Sequence, residues 1–179
     1  MGMFDNVILL GESAGLVRCA HGHAQEDLQT KSLESLLDDY YVYERVLYRA
    51  RRTAEQRVVK PRQLEEGKLK LRFERDASCF AYTGEVVAYT HCNECDPIVY
   101  ESTSSFAGRV CDRRLWVEYE LDFRDGRLAK AVALSAKTRE ETRDQMLRDG
   151  VAVLPDEDRV VRRHLEMLRK EANSEPRDL

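Results

Sequence analysis

The clearest hydrophobic pattern lies between residues 115 and 134. Apolar residues occupy every second position of Leu115–Phe123, and apart from Trp116 the positions between them are acidic. A period of two predicts a β-strand with one buried face. Asp125-Gly126 then favours a tight turn, and Leu128–Leu134 is the returning strand. The pattern therefore predicts a β-hairpin.

Shorter β-prone segments precede this hairpin. Phe4–Leu10 reads as a first strand, and two short strands flank a turn near Glu44-Arg45. Leu69, Leu71 and Phe73 alternate with basic residues, which is typical of a half-buried strand. Thr83-Gly84 predicts a second hairpin, between Cys79–Tyr82 and Glu85–Thr90. Together these segments predict an antiparallel β-sheet meander.

The pattern changes to a helical one after residue 136. Thr138 and Glu141 have the spacing of a capping box, and Gly150 stands where a helix commonly ends. A second helix is predicted from about Pro155, with Val161 and Leu165 on its apolar face. The predicted fold class is α+β. Its β-rich core, with the candidate zinc site described below, covers residues 1–136, and a C-terminal helical extension covers residues 137–179.

Composition and charge narrow the class of protein. The chain has 179 residues, of which 42% are hydrophobic and 35% charged, as in a globular protein large enough to bury its own core. No basic leader precedes the apolar N-terminus, and no apolar run approaches the roughly 20 residues that span a bilayer. We therefore expect a cytoplasmic protein that does not engage a membrane.

Basic residues are concentrated in one part of the chain. Residues 41–75 contain eleven basic and five acidic side chains, although the whole chain has a net charge of −4. This basic block, residues 45–75, is a candidate surface for nucleic acid or an acidic protein. The candidate binding residues are Arg49, Arg51, Arg52 and Arg57. The alternative is a solvated hairpin and loop that pairs with the acidic N-terminal segment.

Two short Cys/His clusters carry the most specific chemistry. The first is Cys19-Ala-His21-Gly-His23 and the second is His91-Cys92-Asn-Glu-Cys95. A structural zinc site needs four thiolate or imidazole ligands in a tetrahedron, commonly from two short ligand pairs. The spacing therefore predicts a zinc site formed by Cys19, His23, Cys92 and Cys95. A closed structural site is favoured over a catalytic one, which would keep a position open for water.

Other readings of the clusters stay open at this point. His21 or His91 could replace His23 as the fourth ligand. The cysteines could be ordinary reduced thiols, since five cysteines at irregular spacing do not form a disulfide framework. Cys92 and Cys95 could also form a redox pair, although such pairs usually open a helix and Pro97 follows here.

Several segments resemble a loose group of uncharacterised small bacterial and phage proteins. Those proteins begin with Met-Phe-Asp and carry a zinc-ribbon-like Cys/His knuckle followed by a Gln-Thr-Lys segment. The matching segments here are Met3-Phe4-Asp5, Cys19–His23, Leu28-Gln29-Thr30-Lys31, the hairpin Tyr40–Tyr43 and Cys92–Cys95. The resemblance implies metal binding by the knuckles. It implies no catalytic residues.

Motifs of catalysis are weak. Ser13 lies in Gly11-Glu-Ser13-Ala-Gly15, which has the form of a hydrolase elbow, but no helical pattern follows it, and a Gly/Ser turn is the simpler interpretation. Asp38 and Asp39 with Glu34 could bind a metal for nuclease chemistry, or form a solvated loop. The sequence favours a non-enzymatic, zinc-stabilised binding or accessory module. The alternative is a small metal-dependent hydrolase or nuclease.

Overall fold

The computed structural model describes residues 4–33, 38–50, 77–102 and 109–173. The chain forms two compact units. The first contains Met1–Thr90 and Trp116–Ala136, and the second contains His91–Leu115 and Lys137–Leu179. The chain thus passes between the units after residues 90, 115 and 136. The candidate knuckle of Cys19 and His23 belongs to the first unit.

Eleven strands and two α-helices make up the described elements. The strands are β1 (Asp5–Leu10), β2 (Asp27–Thr30), β3 (Asp39–Tyr43), β4 (Val46–Ala50), β5 (Ser78–Cys79), β6 (Gly84–His91), β7 (Ile98–Glu101), β8 (Val110–Arg113), β9 (Trp116–Arg124), β10 (Arg127–Ala136) and β11 (Ala152–Val153). The helices are α1 (Arg139–Arg148) and α2 (Arg159–Asn173). A short 3₁₀ helix, Gly11–Gly15, follows β1.

The first unit is a closed barrel, which corrects the predicted α+β meander. Its strand order is β10-β9-β6-β2-β1-β3-β4-β5, and β10 also pairs with β4, so that seven strands form a ring. β1 and β3 pair in parallel. Strands account for 46% of the residues and helices for 21%, so the fold is mainly β. The predicted hairpin around Thr83-Gly84 is also wrong, because β5 pairs with β4 while β6 pairs with β2 and β9.

Local alternation did not reveal this closure because it depends on contacts between segments far apart in sequence. One residue pair, Arg127 opposite Val46, joins β10 to β4. The N–H of Leu47 donates to the carbonyl of Gly126 at 2.7 Å, and the N–H of Leu128 donates to the carbonyl of Arg45 at 2.8 Å. Alternation states which side of a strand is buried, but not which strand lies beside it. We call this short contact the seam of the barrel.

The strand pattern itself is confirmed where one face is buried. In β9, Val117, Tyr119, Leu121 and Phe123 are buried, and the residues between them are more exposed. The parallel pair β1 and β3 is buried on both faces instead. By register Ile8 lies beside Tyr41, and these two residues form an apolar cluster with Ala50, while Val7 lies beside Tyr40. Strands buried on both faces read as continuous apolar runs.

Two of the three predicted tight turns are present. Glu44 and Arg45 have φ of 47° and 63°, and Asp125 and Gly126 have φ of 47° and 73°. Two successive positive φ values match the right-handed twist of a hairpin. Gly126 is required for a second reason: a Cβ at this position would lie 2.5 Å from the carbonyl oxygen of Phe80. Its backbone approaches that segment closely at the seam.

The second unit combines both helices with a small sheet of order β11-β7-β8. The capping box is confirmed, since the Thr138 side chain accepts from the N–H of Glu141 and the Glu141 carboxylate accepts from the N–H of Thr138. Gly150 has φ of 76° just after α1. α2 begins a few residues later than predicted and buries Val161. In the described part of the chain, no helix has the length and apolar character needed to cross a bilayer.

Candidate metal centre

Cys19 and His23 lie on a tight turn beyond the 3₁₀ helix. A backbone bridge joins Arg18 to Ala24, the N–H of Cys19 donates to the carbonyl of His23 at 3.0 Å, and the N–H of Gly22 donates to the carbonyl of Cys19 at 2.9 Å. Gly22 has φ of 86°, in the left-handed region that glycine favours. We call residues 18–24 the first knuckle. It holds Cys19 Sγ 3.6 Å from His23 Nδ1.

Tyr119 of β9 fixes the first knuckle to the barrel. Its hydroxyl accepts a hydrogen bond from the N–H of Arg18 at 3.2 Å and donates one to the carbonyl of Arg18 at 3.0 Å. The Arg18 guanidinium in turn donates to the carbonyls of Gly15 and Gly22. The residue before the first cysteine is therefore held on both of its backbone polar groups. Sequence reasoning assigned Tyr119 to the core and missed this function, because its partner is 101 positions away.

Cys92 and Cys95 lie on the turn that follows β6. The N–H of Cys92 donates to the carbonyl of Leu115 at 2.9 Å. The Arg114 guanidinium donates to the side-chain oxygen of Asn93, inside the same turn. We call residues 92–95 the second knuckle. β7 begins three residues after Cys95, so the thiol pair does not open a helix as redox pairs usually do.

The four predicted ligands lie together. One ligand atom from each of Cys19, His23, Cys92 and Cys95 lies within 4.8 Å of all the others. Zinc bond lengths of about 2.3 Å to sulfur and about 2.0–2.1 Å to nitrogen would set tetrahedral ligand atoms about 3.6–3.8 Å apart. The 3.6 Å between Cys19 Sγ and His23 Nδ1 already equals such an edge. The cluster is thus a set of three sulfurs and one nitrogen that could bind a metal ion.

The cluster is shielded from water. Cys92 is fully buried, Cys19 and Cys95 are 5% and 9% exposed, and His23 is half-buried. The other two histidines of the clusters, His21 and His91, are exposed, and neither belongs to the converging set. The histidine that the sequence left open is therefore His23. All five cysteines lie in the described residues and none forms a disulfide; Cys79 is exposed and Cys111 is half-buried.

The acidic residues considered for nuclease chemistry are buried. Asp38 is 4% exposed and accepts two hydrogen bonds from the Arg49 guanidinium, at 2.9 and 2.7 Å. Asp39 is fully buried and accepts from the side-chain amide of Asn6 at 2.9 Å. Neither carboxylate lies in a solvated loop, and Asp38 is neutralised by Arg49. Glu34 lies outside the described residues.

Ser13 is a structural residue of a turn. It is fully buried in the 3₁₀ helix, and its hydroxyl accepts a hydrogen bond from the N–H of Arg45 at 3.0 Å. A hydrolase nucleophile must instead point into a cleft next to a base. The Gly/Ser turn interpretation therefore fits the geometry, and the hydroxyl supports the turn between β3 and β4.

The basic block is described only at its beginning. The Arg49 side chain is 11% exposed, pairs with Asp38 and lies over the rings of Tyr40 and Phe80. Arg51, Arg52 and Arg57 lie outside the described residues, as does the predicted strand of Leu69–Phe73. Binding of nucleic acid or an acidic partner by these arginines stays a prediction.

Comparison of the chain with protein-family models, with curated proteins and with solved structures finds no match.

Proposed function

We propose that this protein is a non-enzymatic binding or accessory module stabilised by one structural zinc ion. Cys19, His23, Cys92 and Cys95 would be the four ligands. The observation that carries the proposal is the convergence of these ligand atoms within 4.8 Å in a buried cluster. Thiolate and imidazole ligands together suit zinc, whereas magnesium and calcium prefer carboxylate and carbonyl oxygens.

The ligand set favours a structural function over a catalytic one. Catalytic zinc sites have three protein ligands and leave the fourth position for water or substrate. Here four side chains would complete the tetrahedron, and Cys19, Cys92 and Cys95 are almost entirely buried. We assign no catalytic function to Asp38 or Asp39, because Arg49 already neutralises Asp38 and Asp39 is fully buried.

Metal analysis of the protein purified under reducing conditions without chelator tests the proposal. We expect about one zinc per chain, and protection of three thiols from alkylation until a chelator is added. Cys92→Ser should lose most of the zinc. Cys79→Ser is the matched control, because Cys79 is exposed and outside the cluster, and should retain it. Less than about a tenth of an equivalent of zinc in the wild-type protein would contradict the proposal.

We further propose that the basic block binds nucleic acid or an acidic protein. Support comes from the charge of residues 41–75, which contain the block and carry eleven basic and five acidic side chains in a chain of net charge −4. Binding that neutralises phosphates weakens steeply as salt increases. We expect retention on a polyanion column at low salt and release as salt is raised. Passage through the column at low salt would contradict nucleic-acid binding.

A further inference from the structure

The outer side of β9 combines aromatic and acidic residues. Because side chains alternate along a strand, Trp116, Glu118 and Glu120 share the side opposite the buried residues Val117 and Tyr119. Trp116 is 38% exposed. Successive residues on this side are about 6.8 Å apart, which is also the spacing of alternate residues in an extended peptide. We call Trp116, Glu118 and Glu120, with Tyr89 and Phe4 beside them, the acidic-aromatic face.

Three aromatic rings meet at one end of this face. The rings of Tyr89 and Trp116 stack with centroids 4.9 Å apart, and Phe4 meets Tyr89 edge-on at 6.0 Å. The Nζ of Lys31 already lies 4.6 Å from the centroid of the Phe4 ring. The cluster thus accommodates a cation within the chain itself. The negative face of an aromatic ring attracts ammonium and guanidinium groups.

The carboxylates beside the rings carry charge that the described residues do not neutralise. Glu118 accepts a hydrogen bond from the Trp116 indole N–H at 3.4 Å, which places its carboxylate at the ring edge. No ion pair to Glu118 or Glu120 is present within the described ranges. Asp122, the next residue on this side, differs because Arg124 lies 3.7 Å from it. The face is therefore negative next to exposed aromatic surface.

We propose that the acidic-aromatic face binds an arginine-containing segment of a protein partner. A guanidinium can stack on the indole of Trp116 and donate two hydrogen bonds to a neighbouring carboxylate. An arginine two residues further along an extended segment would reach Glu120. Phosphate groups of nucleic acid would be repelled by the same carboxylates. This proposal is independent of the metal centre and of the basic block.

The single tryptophan of the chain makes the test direct, because its emission reports on this face alone. The full-length protein is titrated with an Arg-Ser repeat peptide, a matched Lys-Ser peptide and oligo-dT. We expect a saturable change in Trp116 emission with the arginine peptide. Binding of the lysine peptide should be about threefold weaker, because lysine stacks less well and cannot form the bidentate contact.

Charge-neutralising variants decide whether the face is responsible. Glu118→Gln with Glu120→Gln should weaken binding of the arginine peptide about three- to tenfold at low salt. Asp122→Asn is the matched control and should change it less than about twofold, since Arg124 already offsets that charge. No saturable emission change, an unchanged affinity in the double variant, or an equal emission change with oligo-dT would each overturn the proposal.

Discussion

At the scale of single residues, the Tyr119 hydroxyl has an effect beyond its own packing. It bonds both the N–H and the carbonyl of Arg18, next to Cys19. We expect Tyr119→Phe to lower zinc affinity about tenfold, because groups that orient a metal ligand typically account for 10–100-fold in affinity. It should also lower the free energy of unfolding by about 1–2 kcal/mol. Competition with a chromogenic chelator measures the first effect.

Tyr82→Phe is the control for this substitution. The Tyr82 hydroxyl donates one long, exposed hydrogen bond to the carbonyl of Glu85 at 3.5 Å and does not contact the knuckles. Its loss should leave zinc affinity unchanged. Equal zinc affinity in wild type and Tyr119→Phe would show that the first knuckle keeps its geometry without the hydroxyl.

Residue types and spacing predicted which side chains converge, but they predicted the surroundings of those side chains poorly. Soft donors in two short windows identified Cys19, Cys92 and Cys95, but three histidines lie in the same windows. Only the fold distinguishes His23, whose Nδ1 lies beside Cys19 Sγ, from the exposed His21 and His91. Burial of Asp38 was likewise not predictable, because its partner Arg49 lies across the β3–β4 pair.

At the scale of elements, Gly126 determines whether the seam can form. Its φ of 73° disfavours any other residue, and a Cβ would lie 2.5 Å from the carbonyl oxygen of Phe80. Gly126→Ala should therefore lower the free energy of unfolding of the barrel by about 3 kcal/mol or more. Urea denaturation followed by Trp116 emission measures the change.

Gly150→Ala separates the destabilisation caused by a positive φ from the destabilisation caused by the close contact with Phe80. Gly150 has a similar φ of 76°, but no atom lies within 4 Å of its added Cβ. In this variant only the positive φ should lower the free energy of unfolding, by about 1 kcal/mol. Equal losses for the two glycines, measured by circular dichroism, would show that the close approach at Phe80 is relieved at no cost.

The ion pair between α1 and the segment before α2 gives a pH dependence. Arg139 donates to both oxygens of Asp156, and this hydrogen bonding holds the pKa of that carboxyl below its usual range. Because the carboxyl has a lower pKa in the folded state than its unfolded-state pKa of about 3.9, the ion pair stabilises the folded state at pH values above about 3.9. This contribution is lost as pH falls through the folded-state pKa. Asp156→Asn should therefore cost less than about 1 kcal/mol at pH 7.

The stability difference between wild type and Asp156→Asn should shrink progressively as pH is lowered below about 4. Urea denaturation at a series of pH values measures it. A difference that persists unchanged at the acidic end would mean that the side chains contribute by packing and not by charge.

Elements with local causes were predictable, whereas the contacts between distant elements were not. The capping box of Thr138 and the turn at Asp125-Gly126 depend on residues within a few positions of each other, and both are present. The parallel pairing of β1 with β3 and the seam between β4 and β10 join residues that no short pattern connects. That difference explains why the buried faces of the strands were predicted correctly, whereas the predicted meander order was wrong.

At the scale of the whole molecule, metal removal should weaken the fold without abolishing it. The barrel has its own core, including Val7, Leu9, Leu47 and Phe123, none of which is a ligand. Binding at about 100-fold above the dissociation constant adds about 2.7 kcal/mol. We therefore expect a chelator to lower the melting temperature by about 5–10 °C while the β signal in far-ultraviolet circular dichroism persists at 25 °C. An unchanged melting temperature would contradict a stabilising metal.

The seam also sets an order of events during protein synthesis. The ribosome synthesises β4 well before β10. At about 5–20 residues per second, about 4–16 s separate the synthesis of Val46 from that of its partner Arg127. Throughout that interval the nascent chain carries an unclosed sheet with an unpaired strand edge, the form most prone to join another chain. Synthesis speed between the two strands, a property of codons and not of side chains, therefore bears on the yield of closed barrels.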